Sequence, residues 1–311
     1  MFLGTPEFAV PTLEKVIAAG HRVQEVITQP DRPKGRRQEL HASPVKMAAL
    51  RHGLPVYQPE RIRRPECVEH LRALAPRVMV IVGYGQIIPQ SIIDIAPLGI
   101  INVHASLLPE LRGAAPIQWS VARGFARTGV TTMRIDAGLD TGDILDTWET
   151  AIGPEETAPE LSIRLAEAGA TILVQTLSHL ELGEAKPVPQ DSARATFAPI
   201  LKKEDGRIDW HSPAQQIHDL IRGLQPWPGA HTSFRGQSLH IWRARPAGHV
   251  TFSPDFIPAP GAVVQEQQGV FAIGGDGMAL ELLEVQLEGR KRMAADVFAN
   301  GHRLTQQDVL T

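Results

Sequence analysis

A chain of 311 residues, 43% apolar and 21% charged, can bury a proper core and has room for two domains. Its net charge of −3 excludes a generally basic surface, so any nucleic-acid contact needs a local basic patch. Roughly 18 apolar residues in a row would mark a membrane span; no such run and no signal-peptide pattern occurs, and a single cysteine, Cys67, rules out an internal disulfide and a multi-cysteine metal site. A cytoplasmic protein is expected, with no membrane association and no obligate protein partner implied.

In chain order, residues 1–184 alternate short apolar runs with amphipathic stretches, the pattern of a parallel sheet flanked by helices. Ahead of Gly4-Thr5-Pro6 only Met1, Phe2 and Leu3 are available for a first strand. Either that strand is stunted or the true start lies elsewhere, and its place at the edge or centre of the sheet stays open. Further strands are expected over Arg22–Thr28, Arg77–Gly83, Gly99–His104, Val130–Ile135 and Ile144–Thr150. Ser43 suits an N-cap with Pro44 in the first turn and Gly53 as the stop. Thr157 and Glu160 have capping-box spacing ahead of a long helix ending near Gly183. Residues 185–200, with Lys186-Pro187-Val188-Pro189-Gln190-Asp191, show turn residues and no period, and are read as a linker. Residues 201–311 form a second domain: a helix begins at Ser212-Pro213, and short alternating segments over Gln237–Arg245, Ala262–Gln265, Val270–Ile273 and Met278–Val285 predict a small antiparallel barrel.

The densest chemical signal is Asn102-Val103-His104-Ala105-Ser106-Leu107-Leu108-Pro109, closed by Arg112-Gly113-Ala114-Ala115-Pro116. Side chains two apart on a strand share a face. Asn102 and His104 therefore present an amide donor and a proton-handling imidazole together at a strand end, on the rim where open α/β sheets bind ligands. Alone, such a pair is usually structural, and an Asp before a glycine, as at Asp140, is usually a turn residue. Gly83-x-Gly85 does not complete a dinucleotide fingerprint, since Ile88 stands where a third small residue is needed and Ala105 and Ser106 where an acid is needed. A zinc site on His104 and Asp140 lacks a third ligand, and no metal is expected.

Read together, the long motif, Ala137-Gly138-Leu139-Asp140-Thr141-Gly142-Asp143, Gly4-Thr5-Pro6-Glu7-Phe8-Ala9, Gln29-Pro30-Asp31-Arg32-Pro33, Ser43-Pro44-Val45-Lys46 and Gln225-Pro226-Trp227-Pro228 resemble the 10-formyltetrahydrofolate-dependent formyltransferases. The likeness is strongest to members that formylate methionyl-tRNA for translation initiation. It implies a Rossmann-like formyltransferase domain followed by an OB-like C-terminal barrel that contacts tRNA. It also implies Asn102, His104 and Asp140 as the catalytic trio. Ser106, Leu107, Leu108 and Pro109, with the loop of Gly83, Tyr84, Gly85 and Ile87, would hold the folate, 10-formyltetrahydrofolate serving as formyl donor. The basic run Arg32, Lys34, Arg36 and Arg37 would meet the charged initiator tRNA; Gln38 and Glu39 stand where relatives often carry lysines, which weakens the electrostatic grip and leaves Arg36 as the firmest correspondence. An amino sugar as acceptor, or water acting on the folate itself, stays open on the chemistry alone; a small acceptor has no need of the basic loop. A non-catalytic folate- or RNA-binding protein would not need the intact trio.

Overall fold

A computed structural model describes residues 1–34, 39–248, 252, 258–266 and 269–311. Through residue 198 the elements are β1 (Phe2–Gly4), α1 (Val10–Ala18), β2 (Val26–Ile27), β3 (Arg32–Lys34), β4 (Glu39–His41), α2 (Pro44–Arg51), β5 (Val56–Tyr57), α3 (Pro65–Ala73), β6 (Met79–Val82), α4 (Gln90–Ile93) and β7 (Ile100–His104). Then come β8 (Arg112–Gly113), α5 (Pro116–Ala122), β9 (Arg127–Arg134), β10 (Ile144–Ala151), α6 (Ala158–Leu182) and β11 (Phe197–Ala198). Two compact units result: one of Met1–Pro116, Thr128–Thr150 and Ser162–Ala198, the other of Ile117–Arg127, Ala151–Leu161 and Pro199–Thr311.

The main sheet has the order β10-β9-β7-β6-β1-β2-β5. Neighbours from β7 to β5 run parallel, and β9 joins β7 antiparallel. Parallel neighbours require crossover connections, which α1, α2, α3 and α4 supply. β1 sits at the centre, not the edge: Phe2, Leu3 and Gly4 are buried, Phe2 and Leu3 pair with both β2 and β6, and Gly4 pairs with β6. Residues 22–28 were expected as one strand, yet only Val26 and Ile27 enter the ladder, opposite Phe2 and Leu3. Leu3, Ile27, Leu71, Met79, Ile81, Ile92 and Ile100 form the core on this sheet.

The capping expectations are met. Ser43 Oγ accepts the Lys46 N–H at 3.0 Å; Glu160 Oε2 accepts the Thr157 N–H at 2.9 Å, and Gly183 follows α6 with φ of 71°. Residues 185–199 have no period of their own because their partners lie elsewhere in the chain. Val188 exchanges backbone hydrogen bonds with Ile144, and β11 pairs parallel with β8.

The remaining elements are α7 (Ala214–Gly223), β12 (His231–Phe234), β13 (Gln237–Gly248), β14 (Val263–Glu266), β15 (Gly269–Ile273), β16 (Ala279–Leu287), β17 (Met293–Ala294) and α8 (Ala295–His302). α7 starts after Pro213, which is its N-cap; Asp276 Oδ1 accepts the Ala214 N–H at 3.2 Å. The second sheet runs β12-β13-β16-β15-β14, with β17 on β16. Residues 308–311 close it. Ser233 and Thr311 exchange hydrogen bonds at one edge, while Val263 N–H donates to Asp308 and Leu310 N–H to Gly261 at the other. The closed barrel buries Phe234, Leu239, Ile241, Val263, Leu280, Leu282 and Val285 together with Phe298 of α8.

Asp308 clasps this closure. Its carboxylate takes Arg235 Nε at 2.6 Å and Nη2 at 2.7 Å, plus the Thr305 N–H at 2.7 Å. The Arg235 guanidinium holds its pKa down to about 2. A depressed carboxylate contributes stability at neutral pH that is lost as pH falls through the folded value. Asp308→Asn should cost about 1–2 kcal/mol at pH 7, with the penalty shrinking as pH drops below about 4 towards 2. Denaturant melts across that range measure it; a penalty independent of pH would show that the carboxylate charge is not what holds the closure.

Candidate active site

β7 delivers Asn102 and His104 on one face, both buried, with Ile81 of β6 opposite Asn102 on one side and Met133 of β9 on the other. The imidazole is held at Nε2. Nε2 lies 3.0 Å from the Leu111 carbonyl, which can only accept, so the hydrogen sits on Nε2. Nδ1 is then the basic nitrogen, and it faces Asp140 Oδ2 at 3.7 Å. A backbone carbonyl thus fixes the tautomer, leaving Asp140 to answer a proton on Nδ1.

Asp140 reaches this place through a tight turn between β9 and β10. Asp136 Oδ1 accepts from Gly138 N–H and the Thr141 hydroxyl, and a Cβ on Gly142 would lie 1.9 Å from the Arg134 carbonyl, so only glycine fits there. Asp140 itself has φ of 51°, a left-handed conformation that is costly for a residue with a Cβ. Its Oδ2 also accepts the Gly113 N–H at 2.9 Å. The trio named from the sequence motif thus brings His104 and Asp140 together, with Asn102 one strand pitch away on the same face.

The loop after β7 is fixed from inside. Ser106 Oγ donates to the Glu110 carbonyl at 2.6 Å, and Thr131 of β9 donates to the Ser106 carbonyl at 2.7 Å while accepting the Leu108 N–H at 3.2 Å. Leu108 and Pro109 are buried and Leu107 half-buried. In the loop after β6, Gly83 and Gly85 have φ of 57° and 86°. The Tyr84 ring is buried in the core, where desolvation pushes its phenol pKa up, and its carbonyl accepts from Thr5 Oγ1 and Gln29 Nε2. Tyr84 therefore offers a ligand no ring face. Ile87, 91% exposed, is the side chain this loop presents.

Of the basic run, Arg32 is exposed and 3.5 Å from Glu60. Arg36 and Arg37 lie outside the described residues, and of Lys34 the main chain alone is described, opposite Glu39 in the β3–β4 pair. The acid beside them is committed: Asp31 binds Lys46 Nζ and Gln58 Nε2, each at 2.7 Å. Two residues that the motif did not single out also build the site. Thr131 carries no signal beyond being a buried strand residue. Gln190 sits in an aperiodic stretch, and its partners, Arg112 and the Asp140 turn, are distant in sequence. Cavities of about 490 and 620 Å³ lie elsewhere, one beside Met1, Val78 and Leu98, the other beside Lys15, Trp148 and Ile163. Among the described residues no group of three His, Cys, Asp or Glu could hold a metal ion, and no helix is long and apolar enough to cross a membrane.

Gly113, whose N–H meets Asp140, is also closely approached: its φ is 121° and a Cβ would lie 2.6 Å from the Ala198 carbonyl. Gly113→Ala must part β8 from β11 and is expected to cost about 1–3 kcal/mol. A denaturant melt checks this, and unchanged stability would contradict the observed packing.

The formyl transferase family model matches residues 1–177, and the model of the formyl transferase C-terminal domain matches residues 200–303. The methionyl-tRNA formyltransferase of Solibacter usitatus is 64% identical over 310 residues, covering 100% of this chain and 97% of that protein. That of Koribacter versatilis is 55% identical over 311 residues, with coverage of 100% and 97%. Among solved structures, an N-formyltransferase from Helicobacter canadensis in complex with folinic acid and dTDP-3-aminofucose aligns with a TM-score of 0.65 at 18% identity, over 90% of this chain and 97% of that one. The methionyl-tRNA formyltransferase from Clostridium thermocellum aligns at 0.53 and 18% identity, over 78% and 91%. At such identities these two likenesses speak for the fold. The full-length identities go further: the chain belongs to the formyl transferase family, in the branch of the methionyl-tRNA formyltransferases.

Proposed function

We propose that the chain transfers the formyl group of 10-formyltetrahydrofolate to the α-amino group of methionyl-tRNA, with the charged initiator tRNA as acceptor and the cytoplasm as the place of reaction. One observation carries the chemistry: His104 Nδ1 faces Asp140 Oδ2 at 3.7 Å on the strand that also presents Asn102. The choice of acceptor rests on the 64% identity to the Solibacter usitatus enzyme over the whole chain.

10-Formyltetrahydrofolate supplies a formyl carbon activated for acyl transfer. An unprotonated amine is already nucleophilic, so no enzyme nucleophile is required. The candidates are otherwise engaged: the Ser106 hydroxyl donates to Glu110, and the buried Cys67 sulfur accepts from Tyr57. What the chain must add is a donor aimed at the developing oxyanion and a group that takes the proton from the attacking amine and returns one to N10 as the carbon–N10 bond breaks and tetrahydrofolate leaves. The Asn102 amide suits the first task. For the second, His104 with its hydrogen on Nε2 and its lone pair towards Asp140 forms a pair arranged to hold one proton between them. The loops after β6 and β7 suit the folate, since two glycines with positive φ expose main-chain groups and Ile87 offers an apolar face. Arg32, Lys34, Arg36 and Arg37 supply cations for the acceptor end of the tRNA.

Incubation with 10-formyltetrahydrofolate and charged initiator tRNA, with uncharged and elongator tRNAs as controls, tests the assignment; absence of formylmethionyl-tRNA would overturn it. Asn102→Ala is expected to lower kcat on the order of 10²–10³-fold with folate affinity nearly unchanged. Near-normal turnover would make Asn102 a structural residue. Arg36→Ala should weaken binding of the charged tRNA by about 1–3 kcal/mol if Arg36 reads a base edge, and should make the salt dependence shallower. Values of kcat/KM on initiator and elongator tRNAs at two salt concentrations decide; unchanged values would leave the loop as solvated surface.

A further inference from the structure

Gln190 lies in the aperiodic stretch after α6, yet its side chain is held at both ends. Its Oε1 accepts Arg112 Nε at 3.0 Å and Nη2 at 2.7 Å. A guanidinium can only donate, so this contact fixes which end of the amide is oxygen. The NH₂ group is thereby aimed at the Asp140 turn, donating to the Asp140 carbonyl at 2.8 Å and the Gly142 carbonyl at 2.7 Å. Both amide hydrogens are spent on the two carbonyls that flank Thr141.

These contacts close a ring. The Asp140 carboxylate accepts the Gly113 N–H, Gly113 follows Arg112, Arg112 orients Gln190, and Gln190 grips the Asp140 backbone. Arg112 is buried and is met by a neutral amide, so this partner leaves its charge uncancelled while using its fixed fork for direction. The Asp140 backbone needs such a grip, because a left-handed conformation outside glycine persists only where its surroundings impose it. Relaxation of that φ would swing the carboxylate away from His104.

We propose that Gln190 is a positioning residue for formyl transfer, locking the Asp140 turn so that the carboxylate stays opposite His104 Nδ1. The inference rests on the reading of Asp140 as catalytic. Gln190 touches neither the imidazole nor the reacting groups; it acts through Asp140.

Gln190→Glu separates its two halves, since a carboxylate still accepts from Arg112 but cannot donate to the turn. Gln190→Ala removes both. With melting temperatures recorded for every variant, kcat and both KM values are measured for these two, for Asp140→Asn, and for the pairings of each with Asp140→Asn. Either Gln190 variant is expected to lower kcat about 10- to 100-fold, consistent with misplacement of a reacting group, while both KM values stay within about twofold. In the Asp140→Asn background the same changes should lower kcat by no more than about a further twofold, because the interaction they support is already gone. Wild-type kcat in a folded Gln190 variant, or losses that multiply in the double variants, would overturn the proposal. Full activity in Asp140→Asn alone would instead overturn the catalytic reading of Asp140, and this inference with it.

Discussion

A carboxylate held against an imidazole inside a protein has lost most of its water, and it stays there only if other groups replace that solvation. The Gly113 N–H meets this constraint on the Asp140 carboxylate, while the Gln190 amide holds the Asp140 backbone. Much of the first unit's architecture serves that arrangement. The short pairing of β8 with β11 brings Gly113 and the 185–199 segment together, and the antiparallel entry of β9 starts the turn that carries Asp140. Removing the glycine at 113 or 142 would put a Cβ into a carbonyl, so neither the β8–β11 contact nor the Asp140 turn admits a side chain there.

The imidazole is constrained from the other direction. The Leu111 carbonyl settles the tautomer by geometry alone, and Leu111 itself has φ of 57° and donates its N–H to Thr196 Oγ1. Thr196 precedes β11, so the segment that orients Asp140 also steadies the carbonyl that orients His104. One stretch without regular periodicity thus sets both members of the pair. Preorganisation of this kind favours acyl transfer, because fixed dipoles need not reorganise as charge develops.

The second sheet solves a different problem, the exposed edges of an antiparallel sheet. Residues 308–311 hydrogen-bond to both edges, and Arg235 with Asp308 holds them there. Closure of this kind depends on partners far apart in the chain: Arg235 and Asp308 lie on either side of most of the barrel strands. Nothing local in the terminal residues marks them as barrel closure, which is why alternation alone predicted a barrel without saying what seals it.

The local grammar of the sequence determined a good deal. Ser43-Pro44, the Thr157–Glu160 pair and Gly183 read correctly as helix punctuation because capping is a contact between residues three or four apart. The alternation of apolar runs marked the parallel sheet and the later barrel strands because burial imposes its period directly on the chain. Asn102 and His104 could be placed on one face for the same reason. The tertiary structure alone decided that β1 stands at the centre of the sheet, between β2 and β6. It alone decided that the Tyr84 ring lies in the core, and that the Leu111 carbonyl sets the His104 tautomer. Gln190 shows the limit most plainly: its meaning lies in Arg112 and Asp140, and hydrogen bonds between residues this far apart leave no period or spacing in the sequence.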